Sequence, residues 1–404
     1  MKRPLMVEYG RCVFTAGQRA LSINDIVLAY ATVNPPLTIY SNKYASRCQA
    51  STVGASGGRV AGGNTMNMKT VRDKAREQLK GFCRVCPVCD GRACSGEVPG
   101  MGGVGTGSAF KINLEALARV RLNLRTVHGV KVPDLSLNLW GKTLAMPILG
   151  APITGSTYNM GGTMTEEEFI TEMVAGALMA DSLCMTGDGA DPTMFDSGIK
   201  AGAANKGGSI AIIKPRAQEV VVSHLKTAEE AGVLAAGMDI DGAGLVTMAM
   251  KGQPVGPKTP TELREVIAAT NLPFIVKGIM TANEAEEAVN AGAAAIVVSN
   301  HGGRVLDFTP GAAEVLPAIA SRVKGKAHIF ADGGVRSGAD VLKLLALGAD
   351  AVLVGRPLII AAFGGGREGV ALYLNQLKNE LLQAMLLTGT ADVKKVSSAI
   401  IHGR

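Results

Sequence analysis

The stretch AAIVVSNHGGR at 294–304 is an apolar run that stops abruptly at Ser299-Asn300-His301-Gly302-Gly303-Arg304. A run this short and this rich in β-branched residues reads as a strand buried on both faces. The same grammar repeats on either side. LPFIVKG at 272–278 ends in Lys277-Gly278, HIFADGGVR at 328–336 breaks into Asp332-Gly333-Gly334, and AVLVGRP at 351–357 breaks at Gly355-Arg356. Four apolar runs in succession, each closing on glycine or polar residues, predict parallel strands whose ends share one rim.

Working outward, strands are expected at 147–152, 182–186, 209–214, 234–239, 273–277, 294–299, 328–331 and 351–354. Amphipathic helices are expected between them, for example at 165–180, 217–231, 281–291 and 338–347. Gly232, Gly292 and Gly348 stand where a helix must end in a left-handed cap before the next strand. Eight such units predict an α/β chain folded as a closed (β/α)8 TIM barrel, with an open doubly wound sheet as the alternative. In a barrel the four polar strand ends meet at the mouth where this architecture places its chemistry.

Composition agrees. Of 404 residues, 47% are hydrophobic and 19% charged, enough apolar material for a large core and incompatible with a disordered chain. No run of 18 apolar residues occurs, so a soluble, cytoplasmic protein without a membrane span is expected. The net charge of +7 is unevenly placed. Residues 1–65 hold seven basic and two acidic side chains, whereas 66–404 hold 34 and 32. The near-neutral body argues for neither nucleic acid nor a membrane surface as partner. Residues 1–65 lack helical or strand periodicity and read as a disordered or non-native extension, with a targeting segment as the alternative. A cysteine- and glycine-rich segment follows at 66–110, and the barrel is expected over 111–404.

At the rim, Asp332-Gly333-Gly334-Val335-Arg336 with Gly355-Arg356 reads as a phosphate cradle, because glycines expose backbone N–H groups and arginine adds charge-assisted donors. Lys277 ends an apolar strand, where a cation needs an anion. It suits either charge neutralisation on an electron-accepting ring or a Schiff base. His301 can take a proton near neutral pH, and Arg304 can clamp a carboxylate at two points.

Cys83, Cys86, Cys89 and Cys94 form C-x2-C-x2-C-x4-C ahead of the glycine-rich run 100–107. That spacing is close to cluster-binding ferredoxins and would also satisfy tetrahedral zinc. A [4Fe–4S] cluster, zinc, or no metal remain open; a disulfide framework is disfavoured.

The segments 272–278, 296–307 and 330–357 closely resemble the FMN-dependent α-hydroxy-acid oxidases and dehydrogenases, the family of glycolate oxidase and lactate oxidase. The likeness is dense over 272–390 and looser over 110–271, and those enzymes lack the four-cysteine segment. The resemblance implies FMN and oxidation of a small (S)-2-hydroxy acid, lactate- or glycolate-like, to the 2-oxo acid, with flavin N5 as hydride acceptor. It implies His301 as base, Arg304 on the substrate carboxylate, and Lys277 at the flavin N1/O2 edge. Ser299 and the backbone at Ala151, Pro152 and Ile153 would touch the flavin, with Thr186 and Lys214 completing that set. Asp332, Gly333, Gly334, Val335, Arg336, Gly355 and Arg356 would surround ribityl and phosphate. Either Asp239 or Asp241 would orient His301. Oxygen or a redox protein would accept the electrons, and a homo-oligomer is expected.

Two departures concern substrate recognition. The family's second carboxylate-binding arginine is missing after the fourth strand, where the chain reads Asp239-Ile240-Asp241-Gly242-Ala243-Gly244, and the third strand ends Lys214-Pro215-Arg216. Lys214 or Arg216 would have to substitute. The Asp-Ile-Asp-Gly-Ala-Gly run also resembles type 2 isopentenyl diphosphate isomerases, which makes an FMN-dependent isomerase one alternative. A flavin electron-relay or redox-sensing module is another.

Overall fold

Every expected barrel strand is present, within two residues of its expected bounds, in the computed structural model, which describes residues 66–403. The expectation for 1–65 lies outside the described residues. A hairpin of β1 (Leu137–Leu139) and β2 (Lys142–Leu144) precedes the barrel strands β3 (Ile148–Gly150), β4 (Cys184–Gly187), β5 (Ser209–Ile213) and β6 (Ala235–Asp239). They continue with β7 (Phe274–Ile279), β8 (Ala295–Val298), β9 (His328–Ala331) and β10 (Ala351–Val354). Each pairs in parallel with the next, and β10 closes on β3. The barrel is closed, so the open-sheet alternative falls.

Alternation along the strands sorts two cores. Leu149, Met185, Ile210, Ile212, Ile275, Val297, Phe330 and Leu353 fill the interior together with Leu137, Leu139 and Leu144, so the hairpin plugs the barrel floor. Trp140 lies edge-on against Phe330 there. Residues of opposite parity, such as Ile148, Cys184, Ile213 and Val298, pack against the helical layer. The helices start where the chemistry of their caps dictates. Thr165 accepts from Glu168 N while the Glu168 carboxylate returns to Thr165 N, a reciprocal box at the head of Glu166–Met179. Gly232, Gly292 and Gly348 adopt φ of 72°, 108° and 121° at helix ends, as the tight connections require.

Helix Met68–Gln78 lies against the long C-terminal helix Arg356–Thr388. A Cβ on Gly364 would fall 2.0 Å from the Val71 carbonyl oxygen, so only glycine permits this approach. Residues 80–107 then cross the mouth as irregular backbone, and helix Ser108–Arg119 runs through the boundary expected near 110 without a break. Among the described residues no helix is long and apolar enough to cross a membrane.

Candidate active site

The strand ends open on a cleft of about 1130 Å³, its mouth included. Ala151, Pro152 and Ile153 line it after β3, Lys214 after β5, Lys277 on β7, and His301 with Arg304 after β8. Asp332, Gly333, Gly334, Val335 and Arg336 follow β9, and Gly355 with Arg356 follows β10. Thr186 does not line the cleft. Its hydroxyl reaches back toward the Ile210 carbonyl and the face of Gly198, in the helical layer. Ser299 is buried beneath the rim, where its Oγ accepts from His301 N at 3.1 Å and bonds Asp332.

Beneath the cleft lies a buried charge network. Asp239 ends β6 opposite Lys277 on β7. Its Oδ1 accepts from Lys277 Nζ at 2.9 Å and its Oδ2 from Lys214 Nζ at 2.5 Å. Burial opposes the carboxylate, but His301, Lys214 and Lys277 outweigh it and hold Asp239 well below the usual range. Burial likewise opposes the Lys277 ammonium, yet Asp239, Asp241 and Asp332 raise its pKa above the ordinary value. Asp241 stands differently: burial raises its carboxyl, and the charge of Asp239 adds to the effect. Its Oδ1 lies 3.0 Å from His301 Nδ1. Asp239, Asp241 and His301 place ligand atoms within 4.8 Å of one another. With two ammonium groups already on Asp239, the set is an ion-paired network and a poor cation site.

His301, Gly302 and Gly303 adopt φ of 57°, 62° and 76°, three successive left-handed residues. Histidine tolerates that conformation at a cost, and such strain collects at functional sites. The two glycines follow from the turn and from crowding, since a Cβ on Gly303 would sit 2.4 Å from Phe110 N.

The three arginines meet partners that no motif announces. Arg304 donates to the Gly100 and Gly102 carbonyls and, at 3.0 Å, to Asn159 Oδ1. Arg356 donates to the carbonyls of Met101, Gly102 and Gly302 and stacks 3.8 Å over Phe110. Arg336 reaches the Cys89 carbonyl at 3.1 Å. Burial pushes Arg356 down to about 9, with the charge of Arg304 adding, and burial pushes Arg304 down to about 10. The segment over the mouth is thus tied to the cationic rim by its own backbone. Arg216 is committed elsewhere, with Nε and Nη2 on the two oxygens of Asp188 at 2.9 and 3.0 Å. Of the two stand-ins for the missing arginine, only Lys214 lines the cleft. Sequence reasoning missed Phe110, Asn113, Tyr158 and Asn159 in the lining. Asn113, on helix Ser108–Arg119, donates to Asn300 Oδ1 at 2.7 Å; isolated amides in a loosely patterned region give no periodic signal.

The lining fits a phosphorylated, polyhydroxyl ligand bearing a ring. Asp332 Oδ1 and Arg336 Nε are buried without hydrogen-bond partners, an acceptor and a donor on the same wall. Buried polar atoms of this kind call for a ligand. A Cβ on Gly355 would touch nothing nearer than 3.9 Å, which leaves backbone open to close approach.

Comparison with known proteins places this arrangement. The family model of FMN-dependent dehydrogenases matches residues 100–251 and 246–403, and the chain belongs to that family. It is 31% identical over 349 residues to an L-lactate dehydrogenase of Xanthomonas campestris pv. campestris (strain 8004), covering 73% of this chain and 89% of that protein. A 2-hydroxyacid oxidase of Dictyostelium discoideum is 48% identical over 143 residues, 35% of this chain and 37% of that one. Among solved structures, a mandelate oxidase variant with (S)-mandelic acid superposes with a TM-score of 0.67 at 28% identity, covering 82% of this chain and 96% of that one. The chain is therefore an FMN-dependent oxidoreductase acting on CH–OH groups.

Proposed function

We propose that this protein oxidises a small (S)-2-hydroxy acid to the corresponding 2-oxo acid, using FMN held in the cleft. FMN, when bound, supplies the two-electron acceptor for this chemistry. Asp332, Arg336, Arg356 and the glycine backbone at 333, 334 and 355 would hold its ribityl and phosphate groups, and Ala151 to Ile153 would border its ring. The observation behind the reading is the grouping of His301, buttressed by Asp241, with Arg304 and Lys214 at one mouth.

Each role follows from local chemistry. Asp241 on Nδ1 fixes the tautomer of His301 and leaves Nε2 to accept a proton from substrate. Arg304 gives the substrate carboxylate planar donors in exchange for backbone carbonyls, and Lys214 takes the part of the absent second arginine. Lys277, locked on Asp239, keeps a fixed positive charge in the cleft wall. Asp239 and Asp241 are occupied by these partners, which speaks against the isomerase alternative. A pure relay module would have no use for a buttressed imidazole beside a guanidinium. The described cysteines are all unpaired, in keeping with a reducing, cytoplasmic setting.

The deciding experiment is anaerobic addition of glycolate, L-lactate and (S)-mandelate to the yellow protein. Bleaching by at least one is expected; a flavin untouched by all three sinks the proposal.

A further inference from the structure

Cys83, Cys86, Cys89 and Cys94 surround a second cavity of about 400 Å³, mouth included, which they line together with Met101, Arg356 and Ile360. All four thiols are half-buried and unpaired. We propose that they ligate a [4Fe–4S] cluster that carries electrons, singly, from the FMN cleft to a one-electron carrier.

Three observations support this. The first is convergence: a loop with hardly any regular structure turns four side chains, spread over twelve residues, into one enclosed space. The second is spacing. A tetrahedral zinc ion with bonds of ~2.3 Å draws its four sulfurs to roughly 3.8 Å of one another. Among the described residues the sole set of three or more such ligand atoms within 4.8 Å is Asp239, Asp241 and His301. No three of the four sulfurs lie within 4.8 Å of one another, a looser grouping than tetrahedral zinc draws together. The third is charge. Arg356 is half-buried, and among the described residues it meets only carbonyl oxygens and the Phe110 ring, with no carboxylate to balance it. Arg336 adds a guanidinium 3.5 Å from Cys89 Sγ. An anionic tetrathiolate cluster supplies the countercharge that a half-buried, unbalanced guanidinium calls for.

Position gives the role. Met101 and Arg356 line both the cysteine cavity and the FMN cleft, so one layer of side chains separates the two. Oxidation of one hydroxy acid releases two electrons and two protons. The electrons would leave FMN one at a time through the cluster, reducing two equivalents of an external one-electron carrier, while the protons pass to solvent. This outlet rests on the hydroxy-acid reading; cluster binding itself does not.

The test separates the two. Protein purified anaerobically is expected to hold about four iron atoms and four acid-labile sulfides per chain, and stoichiometric zinc, or neither metal nor sulfide, overturns the site. Cys86→Ala is expected to lose at least half of the iron while retaining FMN and, within twofold, flavin bleaching by the hydroxy acid that bleaches the wild type. Full iron retention in that variant overturns the ligand assignment. In the wild type, whichever of glycolate, L-lactate and (S)-mandelate bleaches the flavin, added without oxygen, should yield the electron paramagnetic resonance signal of a reduced cluster. Bleached flavin beside a cluster left wholly oxidised overturns the outlet, and flavin that never bleaches beside an intact cluster counts against the hydroxy-acid reading alone.

Discussion

Asp241 Oδ1 stands 3.0 Å from His301 Nδ1, whereas the nearer oxygen of Asp239 is 3.5 Å from the same nitrogen. Both oxygens of Asp239 already accept from ammonium groups, Lys277 on one and Lys214 on the other. The two carboxylates, two positions apart in the chain, therefore divide the work: Asp239 neutralises lysines and Asp241 aims the imidazole.

Replacing the base itself gives the sharpest kinetic contrast. His301→Ala should leave a yellow protein whose flavin is reduced by hydroxy acid ~10²–10⁴-fold more slowly. Asp241→Asn should slow the same step by roughly a hundredfold, since the imidazole keeps a partner and loses its charge. Rapid-mixing measurement of flavin bleaching reads both, and undiminished reduction in His301→Ala would remove the imidazole from the mechanism.

Asp239→Asn belongs to stability. It strands two buried ammonium groups, and breaking a buried pair from one side costs about 3–5 kcal/mol. The Asp239 carboxyl is depressed by folding, so its contribution is present above the ordinary carboxylate value near 3.8 and is lost as pH falls through its lowered folded value. The Lys277 ammonium is raised, so its contribution holds below 10.5 and is lost only as pH climbs past its raised value. Denaturant melts should therefore show a gap between wild type and Asp239→Asn that is flat from about pH 5 to 9 and narrows in stronger acid. A gap that widens on acidification contradicts the assignment.

The barrel was readable because buried parallel strands write themselves as apolar runs, and because Gly232, Gly292 and Gly348 mark left-handed helix ends. Which face of such a run points inward was harder to read. Thr186 sits in a strand buried on both sides, where no alternation reveals parity, and it turns toward the helices. The partners of Arg304, Arg336 and Arg356 were illegible for another reason. Most are backbone carbonyls between Cys89 and Gly102, some 200 to 255 residues away, and a carbonyl has no residue type to recognise. The choice between Asp239 and Asp241 likewise needed distances, since both carboxylates suit either role.

Arg304 tests substrate binding. Arg304→Lys keeps the charge but loses the planar fork, and a hydrogen bond to a charged group contributes ~1.5–3 kcal/mol. The expected loss is roughly 10- to 100-fold in kcat/KM, mostly through KM, with FMN content unchanged. An equal fall in FMN occupancy would reassign the residue to cofactor binding.

Gly102→Ala probes the segment across the mouth. A Cβ there would lie 1.9 Å from the Cys94 carbonyl oxygen, a backbone atom that cannot step aside alone. The Gly102 carbonyl meanwhile receives both Arg304 and Arg356, at 3.2 and 2.8 Å. Relief of the clash must shift that carbonyl or the cysteine loop, and either shift loosens two guanidiniums at the cleft. Overpacking of this kind costs about 1–3 kcal/mol, which corresponds to a roughly 5- to 100-fold weaker grip on FMN if the strain falls on the rim. Fluorescence titration of the stripped protein with FMN measures it, and circular dichroism confirms that the barrel stands. Wild-type affinity in a folded Gly102→Ala protein would show that this segment does not set the geometry of the arginines.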